Sequence, residues 1–273
     1  IRAVVGDASD LGLRVRYSHE AVVLGTAGGP RHALDLLGAD RFFIVNGDTL
    51  TDVDLSTLAA AHVASGALVT MALVRNPDPG RYGGVVADED GSVTGFVPRG
   101  PANRWPHFVG TQMVEARAFA GLPADCPAET VGELYPRLLA DQPGSVRAFH
   151  CDALFRDIGT PADYLATSLQ IARLDGRPGL LQGDRCHVDR TARLTRTILW
   201  DDVSVGAGAE LVDCIVGDYV RIPAGARFSA TAMVRLEGRA PAPGDTIING
   251  MLVARFAPKP AQDEDPADDL ETR

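Results

Sequence analysis

Asn46-Gly47-Asp48-Thr49 closes the apolar run Phe42-Phe43-Ile44-Val45. The run is continuous rather than alternating, which predicts a strand of a parallel sheet buried on both faces. In open α/β sheets, ligands bind beyond the carboxyl ends of such strands. A carboxylate set there by a glycine turn is placed to hold a divalent cation against phosphates. The plainer reading is that Asp48 only starts a turn, since Asp and Gly both favour turns.

The neighbouring segments bear on that choice. Upstream stand Tyr17-Ser18-His19-Glu20 and Leu24-Gly25-Thr26-Ala27-Gly28-Gly29-Pro30, followed by a helical run to Leu37. A Gly-rich turn leading into a helix suits close approach of a flat base or a phosphate. Downstream come Arg81-Tyr82-Gly83-Gly84-Val85-Val86, Gly91-Ser92-Val93-Thr94-Gly95-Phe96, Phe108-Val109-Gly110 and Asp157-Ile158-Gly159-Thr160-Pro161.

In this order and spacing the set resembles the sugar-phosphate nucleotidylyltransferases, most of all their mannose-1-phosphate guanylyltransferase-like branch. The resemblance runs from about Gly6 to about Phe228. It implies transfer of a nucleotidyl group from a nucleoside triphosphate to a sugar 1-phosphate, giving a nucleotide sugar and pyrophosphate. It implies that Asp48 and Asp157 hold Mg²⁺, two carboxylates from different strand ends sharing one ion. It further implies base contacts from Glu20, Gly25, Thr26, Gly28 and Gly29, and sugar contacts from Gly84 and Gly110. The Leu-Gly-Thr-Ala-Gly run favours guanine, with uracil left open. The sugar stays open among mannose, a heptose and an amino sugar.

Two departures from the family pattern matter. Relatives carry F-x-E-K-P where this chain has Phe96-Val97-Pro98-Arg99-Gly100. The acid is replaced by Pro98 and the Lys by Arg99, and Arg can still hold a phosphate bidentately. The signature G-x-G-x-R-[LM] loop, which carries the phosphate-binding Arg and Lys, does not occur in this sequence. The expectation is an N-terminally truncated transferase that is inactive as it stands. The second reading is a non-catalytic nucleotide-sugar-binding regulatory subunit.

Composition narrows the classes further. A net charge of -10 argues against a broad nucleic-acid surface. Lys259 is the only Lys, so any phosphate clamp in this chain must use Arg. Cys126, Cys151, Cys186 and Cys214 form no C-x-x-C pair, which predicts free, mostly buried thiols in a reducing cytoplasm rather than a zinc site. No apolar run is long enough to span a membrane. His62 and His150 read as structural. His187 would serve an acyltransferase only in a longer solenoid.

The elements that must position these residues follow from pattern. The fold expected is α/β: a Rossmann-like nucleotidyltransferase domain over 1–175 with a mixed, mainly parallel sheet. A small left-handed parallel β-helix over 180–256 and a disordered acidic tail over 257–273 follow it. Predicted strands are Val15–Tyr17, Phe42–Val45, Ala67–Val74, a Gly83–Phe96 hairpin turning at Asp88–Gly91, Phe108–Val114 and Val146–His150. Predicted helices are Pro30–Leu37, Leu55–Ser65 capped by Asp54 and Gly66, Val131–Ala140 broken at Pro136, and Ala162–Leu174 capped by Thr160. Strand–helix–strand alternation implies parallel pairing. Beyond the Asp175–Gly179 boundary, Val203–Leu211 and Val220–Phe228 align at an offset of 17. That is close to the roughly 18 residues of a three-hexapeptide coil. Two to three such coils need a packing partner, either the transferase domain or a second subunit.

Overall fold

The computed structural model describes residues 2–9, 12–176, 181–238 and 240–259. The chain divides into two compact units, Ile1–Phe155 and Arg156–Arg273. The first carries α1 (Arg2–Val5), α2 (Gly25–Leu37), β1 (Arg41–Val45), β2 (Thr49–Thr51), α3 (Leu55–Ser65) and β3 (Val69–Val74). A hairpin of β4 (Gly84–Ala87) and β5 (Val93–Val97) follows, then β6 (His107–Glu115), α4 (Tyr135–Asp141) and β7 (Val146–His150). At the boundary lies β8 (Phe155–Asp157).

The central sheet has the order β1-β6-β3-β7. β6 is antiparallel to both β1 and β3, whereas β3 and β7 are parallel. Strands β1, β3 and β7 therefore run the same way, and the sheet is mixed. The direct parallel pairing that β1-α3-β3 alternation suggests does not form, because β6 inserts between those two strands and bonds to both.

β3 explains why this sheet is the core. All six of its residues are buried. Val69, Met71 and Leu73 pack on one face with Ala27 of α2, Phe119 and Tyr135. Ala72 and Val74 pack on the other with Leu58 of α3. Helices thus cover both faces, and each fully buried Leu or Met contributes roughly 2 kcal/mol of apolar burial. His62 crosses the layers. Its Nδ1 lies 2.8 Å from Thr70 Oγ1 of β3 and its Nε2 3.3 Å from Glu115 of β6, which pairs with Arg41 of β1 at 2.8 Å. The histidine is structural, as its sequence context suggests.

Several local expectations change. Residues 15–17 form no strand: they find no ladder partner, and Arg16 instead donates to the Leu36 carbonyl at 2.6 Å. α2 starts five residues before Pro30, so the Gly-rich segment is its first turns rather than a loop. Pro136 splits its helix into a π-helical turn, Thr130–Leu134, and α4. α3 keeps its predicted bounds, with Asp54 accepting from Ser56 N and Thr57 N.

The second unit contains α5 (Pro161–Leu174), which the expected boundary near residue 175 had grouped with the first domain. A parallel β-solenoid follows: β9 (Leu181–Gln182), β10 (His187–Val188), β11 (Arg193–Thr195), β12 (Ile198–Leu199), β13 (Ser204–Val205), β14 (Glu210–Val216), β15 (Arg221–Ile222) and β16 (Arg227–Arg235). Every parallel pairing has a register of 17, as in Leu181↔Ile198, Ile198↔Ile215 and His187↔Ser204. Core residues stack in columns such as Leu194-Leu211-Phe228 and Leu199-Val216, and along the chain Val188, Leu194, Leu199 and Val205 step by six, five and six. One side of each coil is a residue short of a hexapeptide, which is why the repeat is 17.

α5 packs on the outer column through Leu165 and Leu169 against Ile198 and Ile215. β17 (Thr246–Ile248) and β18 (Met251–Arg255) then form an antiparallel hairpin, β18 runs antiparallel to β16, and Met251 and Val253 plug the end of the core. The expected tail is ordered as far as Lys259, whose Nζ pairs with the fully buried Asp163 carboxylate in the first turn of α5. Its remainder, 260–273, and residues 177–180 of the linker lie outside the described residues. All four cysteines are free, but only Cys214 is buried.

Two outcomes follow from these networks. Burial holds the His62 pKa below its ordinary 6.5 against the opposing pull of Glu115. A depressed folded pKa contributes stability that is complete above 6.5 and lost as pH falls through the folded value. The melting temperature should therefore fall between about pH 7 and pH 5, and thermal melts of His62→Gln should show a flatter slope over that range. Separately, Lys259→Met removes one partner of the buried Asp163 carboxylate, which also accepts from Thr160 Oγ1. Because the lysine is partly exposed and the carboxylate keeps other partners, the cost should be about 1 kcal/mol, read as a shift of the chemical-denaturation midpoint.

Candidate functional site

The carboxyl ends of β1, β3 and β7 point to one edge of the sheet, and the start of β6 lies on that same edge. Asn46-Gly47-Asp48 leaves β1 there as a turn, and Asp48 is exposed. The turn is held by a bulge in β6. Asn46 N donates to the Gly110 carbonyl at 2.9 Å, and the β3–β6 register shifts between Met71 and Leu73. Gly110 sits at φ +79, and a Cβ there would meet the Asn46 side chain at 2.6 Å. Bulges of this kind re-aim strand ends beside functional sites. The fold thus brings Gly110 and the Asp48 turn together.

Glu20, Gly25, Thr26, Gly28 and Gly29 form a second group around the start of α2. Glu20 Oε2 accepts from Leu24 N at 2.8 Å, placing an acid at the positive end of the helix. The Ala128 carbonyl accepts from Ala27 N and Gly28 N, at 2.9 and 3.1 Å. Thr26 Oγ1 donates to Glu129 at 2.6 Å and accepts from Thr130 N at 2.8 Å. The first helical turn is therefore docked on segment 126–130. Gly28 is buried, and a Cβ on it would meet the Cys126 carbonyl at 2.5 Å. Thr26 remains exposed.

Gly84 opens β4 against a side-chain clamp. A Cβ would lie 2.6 Å from Asn103 Oδ1 and 2.7 Å from Trp105 Cβ. Asn103 and Asn76 both donate to the Tyr82 carbonyl at 3.2 Å, and Asn76 also to that of Gly83 at 3.3 Å. Tyr82, His107 and Phe155 stack beside this backbone, with ring centroids 4.6 to 5.3 Å apart. Sequence reading missed the two asparagines. Asn76 had a signal, since it stands two residues beyond a buried strand's carboxyl end; Asn103 had none.

Arg99, between β5 and β6, is exposed. Asp157 belongs to the second unit, half-buried, and accepts from Gly159 N at 2.9 Å. Burial pushes the Cys151 thiol pKa up, so it is no ready nucleophile. No group of three or more metal-ligating side chains occurs among the described residues, and none of their helices is long and apolar enough to cross a membrane.

Comparison with known proteins was made against this geometry. A family model described as nucleotidyl transferase matches residues 1–173. A mannose-1-phosphate guanylyltransferase of Mycobacterium tuberculosis (strain ATCC 25618 / H37Rv) is 31% identical over 233 residues, covering 82% of this chain and 65% of that protein. The mannose-1-phosphate guanylyltransferase catalytic subunit beta of Dictyostelium discoideum is 29% identical over 164 residues, 57% of this chain and 44% of its own. The chain thus spans less than two thirds of the length of these curated relatives. A glucose-1-phosphate thymidylyltransferase candidate from Bacillus anthracis, solved in complex with a sucrose, superposes with a TM-score of 0.52. Its identity is 16% over 64% of this chain and 70% of that one, a likeness of fold.

The docked helix start makes the glycines separable by stability. Gly28→Ala drives a Cβ into backbone and should cost about 2 kcal/mol. Gly29→Ala meets only the movable end of Glu20, at 2.7 Å, and gains helix propensity, so its melting temperature should stay near that of the parent. Calorimetry of the two variants checks this.

Proposed function

The chain belongs to the nucleotidyl transferase family, and from that premise we propose that it serves transfer of a nucleotidyl group from a nucleoside triphosphate to a sugar 1-phosphate. The products are a nucleotide sugar and pyrophosphate. GTP and mannose 1-phosphate are the substrates that the similarity to the mycobacterial relative favours. The observation that carries the reading is the Asp48 turn, locked by the Gly110 bulge at the ligand edge of the sheet.

In this reaction an oxygen of the sugar 1-phosphate attacks the α-phosphorus, and the bond to the pyrophosphate oxygen breaks. No covalent enzyme intermediate is needed. The protein supplies alignment and charge. The start of α2, with Glu20, Gly25, Thr26 and Gly29 at its surface, faces the base, while Gly28 keeps that turn docked. Gly84 and Gly110 would meet the sugar through their backbone. Arg99 would supply one of the cations that meet the sugar phosphate.

As the family resemblance implies, Asp48 and Asp157 would each offer a carboxylate to a divalent cation, and Mg²⁺ suits such hard oxygen donors. When bound, the ion would neutralise charge on the phosphates. The four free cysteines suit a reducing cytoplasm.

Pyrophosphate release from GTP and mannose 1-phosphate, measured on the native protein, tests the reading. Asp48→Asn and Asp157→Asn should each slow it by about 10²- to 10³-fold with little change in melting temperature. Unaltered release in both variants would refute the assignment.

A further inference from the structure

β3 and β7 are parallel neighbours, with Leu73 opposite His150 and Cys151 N donating to the Leu73 carbonyl at 2.9 Å. Just past that bond the two chains diverge and open a cavity of about 420 Å³. Arg75 and Asn76 form one wall, His150 and Asp152 the second, and Arg104 the third, from the loop ahead of β6.

Both guanidinium groups belong to exposed residues. Each is rooted beside a fixed residue: Arg75 precedes Asn76, and Arg104 follows Asn103, the two asparagines that clamp the Tyr82 and Gly83 carbonyls. Their backbones are therefore set before any ligand arrives. Elsewhere in the same unit Arg41 pairs with Glu115 and Arg147 with Asp90. Two arginines and one acid, Asp152, line the cavity, and Asp52 lies near enough to act with Asp152 on the Cys151 thiol. In a chain of net charge -10 the two guanidinium groups here balance those two carboxylates. Two planar donor forks from separate loops match the oxygens of a phosphoryl group better than a single point charge would.

We propose that this cavity is a phosphoryl-binding subsite in which Arg75 and Arg104 grip one anionic group from two sides. The group comes either from the sugar-side substrate, whose backbone contact at Gly84 adjoins the asparagine clamp, or from a free phosphate acting as effector. The proposal concerns binding and stands apart from the identity of the nucleotide and from Asp48.

Calorimetric titration with inorganic phosphate at constant ionic strength tests it, on the parent, Arg75→Gln and Arg104→Gln. Saturable binding by the parent, weakened about tenfold or more in either variant, is the expected result. Arg75→Lys and Arg104→Lys keep the charge without the fork and should fall between. Circular dichroism of each variant establishes that it is folded; should one fail to fold, the other carries the test. Absence of saturable binding by the parent, or equal binding by parent and variants, would overturn the subsite. Repeating the titration with mannose 1-phosphate present separates the sources. Competition assigns the phosphoryl group to the substrate and independent binding assigns it to an effector, and both uphold the subsite. Loss of phosphate binding in the arginine variants with normal binding in Asp48→Asn would also keep this result distinct from the fate of the catalytic reading.

Discussion

Six consecutive buried residues in β3 constrain the whole first unit. A strand buried on both faces must give every backbone group a ladder partner, because an unpaired buried amide costs as much as a lost hydrogen bond. β6 supplies one edge and β7 the other. Once β3 is satisfied in this way, its carboxyl end, that of β7 and the start of β6 are forced to one side of the sheet. The Asp48 turn arrives at the same edge because β1 bonds to the far side of β6. The bulge at Gly110 relieves the one place where the β3–β6 ladder and the Asn46 turn compete for space.

A different constraint governs the second unit. Stacking identical coils demands corners that reverse the chain at the same point each time. Those corners are left-handed: Arg185, Asp202 and Tyr219 share one, with φ of 54 to 60, and Arg196, Asp213 and Ala230 share another, with φ of 48 to 53. Non-Gly residues there carry a strain of about 1 kcal/mol or more each. Side chains offset it by bonding to the next coil. Arg185 reaches Asp202 at 2.8 and 2.6 Å, and Arg196 reaches Asp213 at 2.6 Å. Asp201 and Asp218 each accept a backbone N–H from the coil before. With α5 on one face and β18 across the end, three coils have the cover that so short a solenoid requires.

The glycines at the start of α2 have two physical explanations that do not conflict. Gly28 is glycine because the Cys126 carbonyl leaves no space, and Gly25 because its φ is +76 with Ala128 and Glu129 close by. Docking that turn on segment 126–130 also fixes the exposed Thr26 and the half-buried Glu20 at the helix mouth. A rigid, packed turn is what a base-contacting surface needs.

The sequence by itself determined most elements and singled out the Asp48 turn. Apolar runs marked β1 and β3, caps at Asp54, Gly66 and Thr160 bounded their helices, and the 17-residue offset announced the solenoid, because these signals are local or strictly periodic. The Asp48 turn was legible for the same reason, as a chain-local feature of a strand end, whereas Gly110 stood out only through the family resemblance. Only the tertiary structure decided that β6 inserts between β1 and β3, since strand order depends on which edges remain unpaired once the chain has collapsed. It also decided that α2 begins at Gly25, where the capping carbonyl comes from Ala128, some hundred residues away along the chain. The same holds for the asparagine clamp and for the cavity that Arg75 and Arg104 both line. Those contacts join loops distant in sequence, and no periodicity records them; they exist because the burial of β3 brings the loops to one edge.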